Sequence, residues 1–391
     1  EVVGPARASA DLHLYHLGNS PAHAYAYRAA RARAGVAFLH EWSLHHLVLH
    51  ETVERGDVFA YLREMRRAHG ETGSFVARQV ARGLGGKLLP AMLPLNDRVL
   101  EASLAVVTLT REAAGRARRR ISPRPVLALP MHFACPFDPA PSREEARRDL
   151  GLPADTLLVV APGLCTAAKR VDLVARAVGR LRERDPRVRL AVAGAVDPAS
   201  GVHEAAHAAG LGDAFLVTGR LHLSSFVRWI AAADVVAALR FPSHGEMSAA
   251  LVRALGLGRP ALVSAGTPAG DELPEGVVVP VTPGPAEEDE LLALLGRLLG
   301  DEALRARISG FAREHVRAGH DLASTTDLLA GFLRTVEARQ EELRSAADVE
   351  TEEGTLPAFF REEVRWAARN AGLPGFPFER TLFSDLAGRR H

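Results

Sequence analysis

Residues 234–264 read DVVAALRFPSHGEMSAALVRALGLGRPALVS. Val235–Leu239 is a short apolar run that ends at Arg240-Phe241-Pro242, so it reads as a buried strand followed by a loop. A helix is expected over 247–257, and a second strand over Ala261–Val263. Strand, helix and strand in this order form a crossover unit, and crossovers join parallel strands.

The same alternation extends in both directions. Upstream come a helix at 143–150, a strand at Leu157–Ala161, a helix at 171–184, a strand at Arg189–Ala193, a helix at 203–209, a strand at Ala214–Val217 and a helix at 224–232. Downstream come a strand at Val277–Val281 and helices at 287–299 and 302–345. Strands separated by single helices imply a parallel sheet covered on both faces, a doubly wound Rossmann-like domain.

The first third of the chain is also β/α. Residues 12–17 alternate and meet Gly18-Asn19, a strand and a turn. A helix at 21–34 and a strand at Val36–Leu39 follow. Residues 45–120 read mostly as helix, interrupted by Gly83–Gly86 and a strand at Leu104–Leu109, and another strand is expected at Val126–Leu129. Pro130–Pro141 marks a boundary. The expected domains are therefore 1–141, 142–320 and a helix and tail over 321–391. The tail opens acidic (Asp348–Glu353) and then carries Phe359-Phe360 and Pro374–Phe378. It either packs back across the lobes or leads into a further domain.

A chain of 391 residues suits two or three domains. It has 47% hydrophobic and 24% charged residues, which is ordinary globular composition. Its 48 basic and 47 acidic residues leave a net charge of +1, which argues against a nucleic-acid partner. Arg116–Arg120 reads as a solvated helix end. Cys135 and Cys165 form no metal-ligand spacing and suit a reducing, cytoplasmic setting. No apolar run reaches the ~18–20 residues of a membrane span, and no signal peptide is visible. The chain begins at Glu1 rather than Met, which leaves an upstream segment open.

Ligands of an open parallel sheet bind beyond the carboxyl ends of its strands. Gly163 and then Lys169-Arg170 at a helix start follow the 157–161 strand, an arrangement suited to a diphosphate; a solvated lysine would look the same. Gly194 and Gly219-Arg220 follow the next two strands. In the loop after Val235–Leu239, Gly245 allows close approach of a ligand. Glu246 and Ser248 sit where a helix begins, either facing a bound anion or hydroxyl or simply capping the helix.

With these residues in place, 234–264 resembles the signature block of the retaining GT-B glycosyltransferases, the glycosyl transferase group 1 family. That block has an acidic residue in this loop, then a helix, then Ala-x-x-x-Gly-x-Pro. Gly163 to Lys169-Arg170 resembles the family's glycine turn and basic residue, and Thr218-Gly219-Arg220 to Ala233-Asp234-Val235 its next block. The resemblance covers roughly 155–320 strongly and 12–50 moderately. It implies two Rossmann-like lobes facing across a cleft.

It also implies a site. Lys169 would neutralise the donor diphosphate with Gly163 and Arg170, since Leu164 stands where the family has an arginine. Glu246 matches the first glutamate of the family's E-x7-E pair; Arg253 or Ala254 replaces the second. Gly194, Gly219, Arg240, Gly245, Ser248 and Glu272 would line the donor sugar and nucleotide; Glu272 could equally lie in an exposed loop. His40, at the end of the second strand, matches the family's histidine near the sugar's primary hydroxyl. Glu41, Asn19 and His23 would face the acceptor.

The activity implied is metal-independent, cofactor-free transfer of a sugar, with retention, from a nucleotide diphosphate to an acceptor hydroxyl. The base and sugar are open. The acceptor would be a glycan, a lipid or a small molecule, with peripheral membrane contact in the lipid case. Nothing before Leu12 supplies the opening strand and glycine-rich loop of a complete N-lobe, so this lobe is expected to lack about two β/α units. That gap, Leu164 and the lost second glutamate leave two competing readings, a weakly active or inactive GT-B-like binding module of a larger assembly and an epimerase of the same fold. The Ala- and Arg-rich composition suggests a GC-rich bacterial source.

Overall fold

The computed structural model describes residues 10–347. The expectation for the tail therefore lies outside the described residues from 348 onward, as do residues 1–9.

Two parallel sheets form the framework. The first holds β1 (Leu14–Leu17), β2 (Val36–Leu39), β3 (Ala105–Thr108) and β4 (Val126–Ala128), in that spatial order. The second holds β5 (Leu157–Pro162), β6 (Val188–Ala193), β7 (Phe215–Val217), β8 (Val235–Ala237), β9 (Ala261–Ser264) and β10 (Val279–Val281). Their spatial order is β10-β9-β8-β5-β6-β7. The order reverses between β5 and β8, which pair directly through Val159–Val235 and Val160–Val236. A crevice opens where neighbouring crossovers leave to opposite faces, at the carboxyl ends of two such strands.

The continuous apolar runs explain why these strands lie inside. Side chains alternate along a strand, and along β5 Leu158 and Val160 join one buried cluster while Val159 and Ala161 join another. On one face Ile230 of the Leu223–Ala232 helix and Leu251 of the Ala249–Gly256 helix cover the sheet; on the other Val174 and Val178 of the Val171–Arg182 helix meet Leu291 and Leu295 of the Glu287–Gly300 helix. The first cluster continues into the first sheet through Phe38, Leu104 and Val107. Asp234, at the start of β8, is 2% exposed; it accepts from Leu158 N–H (2.7 Å) and pairs with Arg147 (2.6 Å). That ion pair fixes the Arg143–Asp149 helix to the sheet.

Several boundaries differ from the sequence reading. β1 starts at Leu14, and a 3-10 turn, Pro21–His23, precedes the Ala24–Ala32 helix. β8 stops at Ala237: the Ala238 N–H still donates to Leu262 O as in the ladder, but the Arg240 N–H donates to the Ser264 hydroxyl and not to a strand carbonyl. The Val58–Ala81 helix is kinked at Gly70 (φ 59°, ψ −141°). The single helix expected over 302–345 is three: Glu302–Gly319, Leu322–Ala338 and Gln340–Ser345. The first break occurs where Asp321 caps a new helix by accepting from Ser324 N–H at 2.8 Å, and where His320 O accepts from Phe133 N–H at 2.7 Å. No helix among the described residues is long and apolar enough to cross a membrane.

Candidate functional site

The loops after β5 and β8 meet at the crevice. Phe241 N–H donates to Ala168 O at 2.7 Å, so the loop that carries Glu246 is joined to the turn that carries Lys169. One cavity is lined by Pro162, Lys169, Arg240, Ser243, Glu246 and Thr267, among others, and Ser248 reaches it as well. Its volume is about 450 Å³, counting the space open to solvent.

Lys169 ends a short 3-10 turn, Ala167–Lys169, and its ammonium donates to Pro162 O. It also lies 2.9 Å from where a side chain on Gly163 would begin. Among the described residues no carboxylate pairs with it. Burial, and then the neighbouring Arg240 guanidinium, hold its pKa down to about 8. A half-buried cation beside another cation, with no carboxylate of its own, is a group that an incoming anion would stabilise. Arg240 is neutralised instead, by Glu246 at 2.8 Å. The other oxygen of Glu246 accepts from His244 N–H (2.7 Å) and the Ser243 hydroxyl (3.2 Å), which holds the loop closed. Ser248 caps the Ala249–Gly256 helix by accepting from Leu251 N–H at 3.3 Å. Of the two residues with an expected capping role, Ser248 caps the helix, whereas Glu246 binds within its own loop, and both side chains reach the cavity.

Gly245 shows why this loop needs glycine. Its φ is +81°, and a Cβ there would stand 2.7 Å from the Cβ of Trp42. The two lobes touch at that point. His244 O accepts from Trp42 N–H (2.7 Å) and Ser43 N–H (3.1 Å). The His244 ring meets the Asn19 amide nitrogen at 2.9 Å, lies 3.7 Å from Glu41 and stacks on His46 with centroids 5.6 Å apart. Asn19 fixes both neighbours, since its N–H donates to Glu41 at 2.7 Å and its side-chain oxygen accepts from Leu47 N–H.

Burial shifts Glu41 and His40 of the first lobe in opposite directions. Burial, then repulsion from Glu246, raises Glu41 to about 7, against the opposing hydrogen bond from Asn19 N–H. His40 is held down at about 4 by burial and by His16 and His23, so it is neutral near pH 7. Its ring nitrogen lies 3.1 Å from that of His16, and its ring packs on those of His16, His23 and Phe38. His23 in turn meets His16 O at 3.0 Å. His45, by contrast, is fully buried against Tyr61 and Leu93 O.

Two expected site residues are used elsewhere. Arg170 was expected on the diphosphate, but it forms an ion pair at 2.5 Å with Glu287, whose side chain is buried, and does not line the Lys169 cavity. Glu272 was expected on the donor; its carboxylate instead accepts from Arg111 N–H (2.8 Å) and Glu112 N–H (2.7 Å) at the start of the Arg111–Ile121 helix. It latches the second lobe to the first. Gly163, Gly194 and Gly219 lie at strand ends and do not line the cavity either. Gly194 packs so closely on Gly163 that any side chain would meet the Gly163 carbonyl at 2.3 Å. Sequence reading gave no role to His244, Ser243 or Thr267. His244 lay inside the decisive segment, but nothing local shows that its partners are Asn19, Glu41 and His46.

Residues 142–315 match the family described as glycosyl transferases group 1. The chain is 32% identical over 235 residues to a D-inositol 3-phosphate glycosyltransferase of Xylanimonas cellulosilytica, covering 56% of this chain and 54% of that protein. It is 28% identical over 258 residues to the protein of the same name from Streptomyces bingchenggensis, covering 61% and 55%. It thus spans about half the length of these relatives. Among solved structures it resembles the sucrose-phosphate synthase of Thermosynechococcus elongatus (TM-score 0.59, 17% identity, 83% of this chain and 74% of that one). It also resembles HepE of Anabaena in complex with UDP-glucose (TM-score 0.56, 17% identity, 82% and 79%). With its two parallel sheets the chain has the GT-B fold, and its second lobe, residues 142–315, matches the glycosyl transferases group 1 family.

Proposed function

We propose that this chain is a retaining glycosyltransferase that moves a sugar from a nucleotide-diphosphate donor to an acceptor hydroxyl. The observation that carries this reading is the cavity between β5 and β8, where Lys169 is a half-buried cation without a carboxylate partner among the described residues and Glu246 and Ser248 stand beside it. The Anabaena relative, whose structure holds UDP-glucose, supports a nucleotide-sugar donor.

In the proposed reaction the diphosphate lies against Lys169, whose ammonium takes the room left by the missing side chain of Gly163. Glu246, oriented by Arg240 and His244 N–H, accepts hydrogen bonds from the donor sugar. The first lobe brings the acceptor hydroxyl to the anomeric carbon from the side of Asn19, His23, His40 and Glu41. The bond from the anomeric carbon to the diphosphate oxygen breaks with oxocarbenium character. Lys169 stabilises the charge that develops on the leaving phosphate, with Arg240 nearby, so the chain's own cations serve where other enzymes use a metal. The acceptor oxygen then bonds to the anomeric carbon on the same face, and the leaving phosphate takes its proton. Neutral His40 can donate one hydrogen bond to the sugar without adding charge.

The test is transfer from a panel of nucleotide sugars, with the anomeric configuration of the product read by NMR. Transfer with the donor's configuration kept supports the reading. An inverted product, or interconversion of the donor with no acceptor present, overturns it.

A further inference from the structure

A second, open cavity lies apart from the Lys169 cavity and shares no lining residue with it. Its walls include Ser142, Arg143, Glu144, Leu257, Arg259 and Arg313. They come from the Arg143–Asp149 helix, the turn after the Ala249–Gly256 helix, and the Glu302–Gly319 helix.

The cavity holds more positive than negative charge. Arg313 is exposed and makes no hydrogen bond or ion pair with a described residue; its guanidinium lies over Gly258, beside Arg259. Arg259 donates only to main-chain carbonyls, Leu257 O (3.2 Å) and Ala233 O (3.3 Å), and pairs with no carboxylate among the described residues. Arg143 shares Asp234 (3.1 Å) with Arg147 and has Glu144 at 3.5 Å. Of the groups that line the cavity, one carboxylate, Glu144, faces three guanidinium groups. Burial, then the like charges of Arg313 and Arg143, bring the Arg259 guanidinium down to about 10. Positive groups held together in this way repel one another, and a bound anion relieves the repulsion. Planar guanidinium forks converging from three elements suit a tetrahedral anion better than a single carboxylate would.

We propose that this cavity is a second anion site, separate from the donor site, that takes a phosphate monoester group through Arg143, Arg259 and Arg313. The group could be free in solution or the headgroup of a lipid. Two arms separate these sources. Calorimetric titration with inorganic phosphate reads the soluble source. Co-sedimentation with phosphatidylcholine vesicles, with and without phosphatidic acid, reads the lipid source. In at least one arm the wild-type chain binds. There Arg313→Gln weakens binding by at least about tenfold, the loss of one charge-assisted contact, and Arg313→Lys retains part of it. Lys169→Met, which removes the donor-site cation, takes away only phosphate held at that cation and leaves the part that Arg313→Gln weakens. Arg313 is exposed, so its substitution spares the fold. The proposal is overturned if neither arm shows binding, if Arg313→Gln binds as the wild type does, or if only Lys169→Met abolishes binding.

Discussion

Replacing Lys169 by methionine keeps the side chain's length and removes its charge, and two opposite effects follow. The first concerns stability. The ammonium is held at about 8 against an ordinary 10.5, and each pKa unit corresponds to about 1.4 kcal/mol. Burying the charge therefore costs the ligand-free protein roughly 3 kcal/mol, less about 1 kcal/mol returned by the hydrogen bond to Pro162 O. The sign follows from proton binding. Between about 8 and 10.5 the unfolded chain holds the proton that the folded chain has released, so wild-type stability rises with pH across that window. Below about 8 the penalty is fully present. Lys169→Met should thus be more stable than the wild type at pH 7, by about 1–3 kcal/mol, and the two should converge by about pH 10.5. The second effect concerns catalysis. Removing one group that stabilises the leaving phosphate should lower turnover by about 10²–10³. Urea unfolding at a series of pH values reads the first effect, and initial rates with the preferred nucleotide sugar read the second. A methionine variant that is less stable at pH 7, or that turns over at the wild-type rate, would show that Lys169 is a structural residue and not an anion site.

Three further outcomes are expected. Glu246→Gln removes a negative charge beside Glu41, so the Glu41 pKa should fall from about 7; carbon-13 NMR titration of the glutamates checks this, and an unmoved Glu41 would separate the two carboxylates. Gly245→Ala places a Cβ against Trp42 at φ +81°, and should destabilise the protein by about 1–3 kcal/mol in chemical denaturation; a neutral result would mean that the lobes do not touch there in solution. Glu272→Ala frees two N–H groups at the start of the Arg111–Ile121 helix, costing about 1–2 kcal/mol. It should also speed hydrogen exchange at Arg111 and Glu112, and unchanged exchange would show that the latch is open in solution.

Much of the second lobe was legible in the sequence because its strands are buried on both faces. A run such as Leu157–Ala161 has few other places to go, and right-handed crossovers then fix the topology. The meeting of Lys169 and Glu246 was also foreseeable, since the residues just past neighbouring strands must share one edge. Arg170 and Glu272 were not legible. Each lies where the family touches the donor, but a long side chain can reach either way, and their partners, Glu287 and the Arg111 main chain, lie more than a hundred residues off. His244 was hidden for the same reason, because its role comes from the other lobe. The broken helix over 302–345 did leave a sign in Gly319-His320-Asp321, where a helix end is followed by a capping aspartate. The apolar spacing on either side obscured it.

The most direct test is a crystal structure with the nucleotide sugar that raises the melting temperature most. The diphosphate should lie within about 3 Å of the Lys169 ammonium, with the sugar hydroxyls toward Glu246. A diphosphate held at Arg170 and Glu287, or bound at the opposite edge of the second sheet, would contradict the site and the chemistry built on it.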